Sequence, residues 1–343
     1  MKRFFCALLA VSMLLLTACG GKTTEPAKTE EPAKTEEPAP ATPAESDADL
    51  VASDVDINNP STEGSAVTLS LNHVGATTHP YQYGCAKFAQ LVSAYSNGEV
   101  GVTVYPASQI ASGAKAIEFV QLGTLDMCLE STMSLENFVV EAGVLNLPFL
   151  FTTKEQAYAV MDGDVGEELK QIAEGYGFKI LCWMDNGFRD ISNSVRPITS
   201  PDDLKGIKLR CPESSVFMDT FTQLGATPTA MAISEVFSAM QLGTVDGQEN
   251  PSSVFVNNKY YEVNPYYSVT HHIYTAEPLL MSLDKWNSLT AEQQAAVQQA
   301  ANDACGYERQ YSDSVGEANM KVIAENGTEI NELTIEQMAT FQE

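Results

Sequence analysis

Cations are scarce in this sequence. Its 343 residues carry 19 Lys plus Arg against 45 Asp plus Glu, a formal net charge of −26. Nucleic-acid binding depends on neutralising phosphates, so this balance excludes it and disfavours an anionic membrane surface as well. Histidine is rarer still: His73, His79, His271 and His272 are the only four. They are too few and too scattered for a metal centre, and His271-His272 reads as a strand-edge pair. Beyond Cys19 the cysteines are Cys85, Cys128, Cys182, Cys211 and Cys305, an odd number with no CxxC spacing. Zinc-ribbon and thioredoxin-like chemistry are thereby excluded. A Cys182–Cys211 bridge is conceivable, with buried thiols as the alternative. Enzyme motifs are absent too: there is no GxSxG elbow, HExxH or P-loop, and the phrase GYGF lacks the third glycine of a dinucleotide loop. No cofactor and no catalytic residue is expected.

The one long apolar run, Phe4 to Ala18, follows Lys2 and Arg3. Its length is too short for a bilayer span but suits a secretory signal. It ends in Leu16-Thr17-Ala18-Cys19-Gly20, which resembles a bacterial lipoprotein box, so cleavage before Cys19 and acylation of that residue are expected. An ordinary signal with an incidental cysteine is the alternative. The following TTEPAKTEEPAKTEEPAPATPAES repeats EPAKTE and has no aromatic residue. Such a stretch cannot bury enough apolar surface to order itself, and roughly 40 such residues span on the order of 35 Å or more. It reads as a solvated tether.

From residue 66 strand and helix patterns alternate. VTLSLNHV alternates as a strand, 81–96 has apolar residues at helical spacing, VGVTVYP is a second strand, 113–122 a helix and LDMCLE a third strand. This βαβαβ grammar implies a mostly parallel, covered sheet. The second half repeats it with IKLRCP, a helix over 214–224, the extended TPTAM, a helix over 233–242 and TVDGQEN. One phrase occurs in both halves, QLGTLDMCLES at 121–131 and QLGTVDGQENP at 241–251, with Glu130 and Asn250 in matching places. The repeat predicts two similar lobes, each sending a strand end into a shared cleft. Thr290 and Gln293 form a capping-box pattern that opens a helix running toward Gly327.

Beyond Cys19 the chain uses only four arginines: Arg189, Arg196, Arg210 and Arg309. Three of them cluster within 189–210, where the second half begins. A guanidinium fork binds a carboxylate bidentately, so the cluster points to an acid ligand. Structural pairs with Asp190, Asp202 or Asp203 are the alternative. Ligands of open α/β sheets lie outside the carboxyl ends of strands, where Arg210, Glu130 and Asn250 fall. His73 ends the first strand and is a candidate to face the cleft. Glu277 lies where the chain re-enters the first lobe. Glu130 and Glu277 could instead pair with lysines outside the cleft.

The phrases LNHVGATTHPY, VYPASQI, VLNLPFLF, NGFRDISNSVRPITSPDDLKGIKLRCPES, SEVFSAMQLGTVDGQENP and KYYEVNPYYSVTHHIY resemble the DctP-type substrate-binding proteins of TRAP transporters. The resemblance runs from about 68 to 325. It implies an α/β, two-lobed periplasmic-binding-protein-like fold with a hinge and a long C-terminal helix across both lobes. The expected organisation is 1–18 a signal peptide, 19–65 the lipidated cysteine and tether, 66–187 with 276–315 one lobe, and 188–275 with 316–343 the other. It also implies that Arg210 pairs with the ligand carboxylate and that Asn250 and Arg189 help hold it. Three departures stand out: Ile233 where the family often has an aromatic, Met133 where a sialate-binding branch has Arg, and Cys211 for Val. The expected function is capture of a small organic acid (sugar acid, hydroxy acid or C4-dicarboxylate) outside the cytoplasm for a TRAP-type permease. A secreted enzyme for acidic sugars using Glu130 and Glu277 as paired carboxylates, or a sensor docking on a receptor, are the competing readings.

Overall fold

The structure, a computed structural model, describes residues 55–58 and 62–342. The signal sequence, Cys19 and most of the tether lie outside the described residues. Nine strands form one sheet in the order β2-β1-β3-β8-β4-β7-β5-β6, with β9 added beside β8. Their ranges are β1 Val67–His73, β2 Val100–Tyr105, β3 Met127–Leu129, β4 Phe178–Asn193, β5 Lys208–Cys211, β6 Thr227–Ala230, β7 Gly247–Asn250, β8 Tyr266–Ser282 and β9 Glu329–Glu332. The short strands form two wings, β2-β1-β3 and β7-β5-β6, parallel within each. The long β4 and β8 run antiparallel through the centre and join the wings through further antiparallel edges. The expected mostly parallel sheet therefore holds inside each wing and fails at the centre. Register shifts in the β4–β8 ladder fall between Ile180 and Cys182, between Asp185 and Gly187, and between Arg189 and Ile191. Such bulges bend a strand and re-aim its side chains.

Each wing is covered on both faces. In the first, helix α1 (Pro80–Tyr95) begins with His79 accepting from the Tyr81 N–H and Pro80 in the first turn, where a missing N–H costs nothing. Phe88, Ala89 and Val92 pack with Leu69, Leu71 and Val102 on one face, while Ile117 and Val120 of α2 (Ala114–Gln121) pack with Cys128, Trp183 and Leu280 on the other. In the second wing, Phe217 and Phe221 of α3 (Ser215–Gln223) cover Leu209 and Cys211, and Val236 and Met240 of α4 (Val236–Gln241) pack with Val245 and Phe255. The helix expected over 233–242 divides into a 3₁₀ turn at Ile233–Glu235 and α4. All five body cysteines are buried free thiols, and Cys211 is a packing residue.

The repeated phrase has a structural cause in both wings. Gly123 and Gly243 take φ of +69° and +70°, a region open to glycine at no steric cost. Thr124 then donates its backbone N–H to Phe119 O, and Thr244 does the same to Ala239 O, each at 2.9 Å. The shared aspartates finish the turn: Asp126 accepts the Ser70 N–H at 2.8 Å, and Asp246 accepts the Lys208 N–H at 2.8 Å. Each carboxylate thus ties the incoming strand to its parallel neighbour. The matching ends then deliver Glu130 and Asn250.

The capping box at Thr290 and Gln293 is present and opens α5 (Ala291–Ser314). Small residues Ala300, Ala301 and Ala304 let α5 lie close in the first wing's core. The expected single helix breaks at Val315, and α6 (Gly316–Glu325) continues against the second wing through Ile323. Among the described residues no helix is long and apolar enough to cross a membrane.

Candidate functional site

A cavity of about 740 Å³ of empty space opens between the wings. Its walls include Arg189, Arg210, Asn250, Glu130 and Glu277, five of the six residues singled out from the sequence. Arg210 and Asn250 come from the ends of β5 and β7, Glu130 follows β3, and Arg189 and Glu277 sit on the long central strands.

The sixth, His73, does not line the cavity. It is buried at the end of β1 with Nε2 2.9 Å from Gln82 Oε1, turned beneath α1. Burial lowers its pKa to about 4. His79 and Tyr81, on either side of the first residue of α1, line the cavity in its place. The His79-Pro80 helix start was the available signal for that placement. Burial, and then the nearby His73, take the His79 pKa to about 3, so it is neutral at physiological pH and its Nε2 has no partner.

The two arginines differ in kind. Arg189 is held by Glu249: Nε donates to Oε2 at 2.5 Å, and Nη2 donates to Oε1 at 2.8 Å, to Glu249 O at 2.7 Å and to Asn250 Oδ1 at 2.9 Å. Burial opposes this charge, and Glu249 holds the Arg189 pKa above its ordinary value nonetheless. His272 supports the same carboxylate, with Nε2 3.2 Å from Glu249 Oε2 and Nδ1 2.7 Å from Thr270 Oγ1. His272 thus lies in the central strand β8 and not at a sheet edge, while its neighbour His271 is half exposed. Arg189 Nη1 remains buried without a partner. Arg210 is only 3% exposed, yet among the described residues it has no carboxylate partner. Its Nε and Nη2 donate to Met231 O at 3.0 and 2.7 Å. Burial pulls its pKa down.

The acids face the opposite problem. Burial pushes Glu277 up to about 8, against a hydrogen bond from Tyr81 and the charge of Arg189, and its Oε2 has no partner. Burial, and then repulsion from Glu277, hold Glu130 well above the carboxylate range even though its Oε1 accepts the Gly113 N–H at 3.1 Å. A protonated carboxyl both donates and accepts a hydrogen bond. Asn250 contributes less freely, because its amide bonds to Arg189 and to Gln248 Oε1. Met133 and Ile233 add apolar wall. Arg196 lies elsewhere, donating to Asp203 O at 3.2 Å. Sequence reasoning also missed Glu249, the counter-ion that leaves Arg189 only partly free.

The model of the bacterial extracellular solute-binding protein family 7, DctP, matches residues 71–343. The chain belongs to this family. The C4-dicarboxylate-binding periplasmic protein DctP of Rhodobacter capsulatus is 33% identical over 279 residues, covering 81% of this chain and 84% of that one. Two solved structures are similar. A TRAP periplasmic solute-binding protein from Sulfitobacter sp. NAS-14.1 with bound β-D-galacturonate matches with a TM-score of 0.78 and 32% identity, over 80% of this chain and 91% of that chain. One from Sulfurospirillum deleyianum DSM 6946 with bound succinate matches with a TM-score of 0.77 and 34% identity, over 81% and 91%. The family is one of solute-binding proteins outside the cytoplasm, and the two-lobed α/β fold of its TRAP members is the fold described above.

Proposed function

We propose that this DctP-family protein captures a polyhydroxylated monocarboxylic acid, a sugar acid or hydroxy acid, and delivers it to a TRAP-type permease without chemical turnover. One observation carries the choice: among the described residues, Arg210 is the single arginine in the cavity wall that no carboxylate neutralises. A lone buried guanidinium is costly until an anion pairs with it, and one such cation asks for one carboxylate. Arg189 Nη1 supplies a second donor to the same acid group. A four-carbon dicarboxylate would need a second free cation, and the remaining polar wall is unsuited to one. Glu130, Glu277, His79 Nε2 and the unpartnered Asn186 Oδ1 match hydroxyl groups instead. Galacturonate in one similar structure and succinate in another are the two ligand types to be separated.

The sequence further supports anchoring through a lipid on Cys19, with the folded body carried on its tether, and lobes divided as 66–187 with 276–315 and 188–275 with 316–343. Binding would close the wings around the acid, the ligand stabilising the closed state. A thermal-shift screen of uronates, aldonates and C4-dicarboxylates, with mass spectrometry of any co-purifying acid, tests the ligand class. Stabilisation by succinate alone overturns it, and breakdown of an acidic sugar during incubation overturns binding without turnover.

A further inference from the structure

Across the rim of the cavity the wings are joined by contacts that involve no ligand. Glu136, just after the lining residues Ser131, Met133 and Ser134 of the first wing, accepts the backbone N–H of Ser215 in the second wing at 2.9 Å. Ser215 opens α3, two residues after the lining residue Glu213. Next to it, Asn137 Nδ2 donates to Glu213 O at 2.9 Å. The carboxylate is fixed from behind: Asn146 Nδ2 donates to Glu136 Oε2 at 2.6 Å, and Thr132 Oγ1 donates to Asn146 Oδ1 at 2.6 Å. Asn146 and Thr132 are fully buried.

We propose that Glu136 is a closure latch, a positioning residue that holds the wings together by capping the first turn of a helix in the opposite wing. The first N–H groups of a helix lack intrahelical partners, and a carboxylate there is favoured by both hydrogen bonding and the helix dipole. Ser214, the residue that caps α3, already satisfies the Phe217 N–H, so Glu136 takes a donor that this cap leaves open. The Thr132–Asn146 support means that little side-chain freedom is lost when the bond forms. Closure is therefore favoured before any ligand arrives, and affinity contains a contribution from a residue that touches no ligand.

The inference rests on the solute-binding reading, so its main test uses ligand-free protein. Nitroxide labels at V140C and D219C, both exposed positions beside the latch, report the distance between wings by pulsed electron paramagnetic resonance. E136A should move the distribution toward longer distances, and E136Q, which keeps an acceptor oxygen, should fall between it and wild type. S215P removes only the donor: proline suits the first helical position, and Ser214 is already extended at φ −136°, ψ 129°, as a residue before proline must be. S215P should reproduce E136A, and combining them should add nothing. Identical distributions for wild type, E136A and S215P overturn the latch. With D-galacturonate as probe, both variants should bind about tenfold more weakly, chiefly through faster dissociation. Failure of wild type to bind any acid in the screen would count against the solute reading, while the ligand-free distances still decide the latch.

Discussion

Replacing Arg210 by Met separates a binding residue from a structural one. The side chain is 3% exposed and, among the described residues, hydrogen-bonds only to the Met231 carbonyl. If a ligand carboxylate completes it, truncation removes one partner of a buried charged pair, at about 2–5 kcal/mol. That range corresponds to roughly 30-fold to several-thousand-fold weaker binding. The free protein should respond in the opposite sense. Met fills similar volume and removes a buried charge with no counter-ion, a relief on the order of 1–4 kcal/mol. Losing the bond to Met231 O returns about 1–3 kcal/mol of that. Ligand-free R210M should therefore unfold no earlier than wild type, while the ligand-induced rise in melting temperature disappears. R210K should recover binding only in part, because one ammonium cannot form the bidentate fork that a guanidinium makes on a carboxylate. Calorimetry and thermal melts with the best acid of the screen are the assays. Unchanged affinity in R210M, or a large loss of free-protein stability with the ligand shift intact, would refute the assignment.

Three further outcomes follow from the same geometry. Glu277 has a folded pKa near 8 against an ordinary value of 4.5, so its contribution to stability is complete below about pH 4.5 and is lost as pH rises toward 8. Relative to E277Q, wild type should lose about 1.4 kcal/mol per pH unit across that window, and urea melts showing parallel profiles would contradict the buried-carboxyl assignment. E249Q should strand the Arg189 charge and lower stability by about 3–5 kcal/mol, read as a shifted urea midpoint. C19S should release the protein from membranes or block its processing; a wild-type protein that is already soluble with an unmodified mature N-terminus would rule out the anchor.

Where apolar periodicity was strong, the sequence was readable. β1, α1, β2, α2 and β3 were evident from runs such as Leu69, Leu71, Phe88 and Val92, and the Gly123 and Gly243 turns from their shared phrase. The long strands were not. β4 passes through Asp185, Asn186, Gly187, Arg189 and Asp190, a polar run that resembles a loop because its partners are the cavity and buried ion pairs and not a greasy face. The cleft candidates at strand ends followed from topology alone. His73 failed because its position on the strand said nothing of its direction: Gln82, nine residues on, draws the ring under the helix. Glu249 was hidden inside the QENP phrase, where Asn250 drew the attention. The helix break at Val315 has no proline to announce it; Gly316, directly after it, was the local signal, and the break lets α5 and α6 pack on different wings.

That break has a consequence for how the protein is made. Arg309 of α5 grips Asp162 and the Trp183 carbonyl in the first wing, whose core also needs Leu279, Met281 and Val297. The first wing to leave a ribosome is thus the one that waits for nearly the last residues before it can close. Contacts so distant along the chain form slowly. A first wing built this way would stay open until α5 has been made, and an open chain is the form that could be threaded through a membrane pore if the protein is exported as proposed.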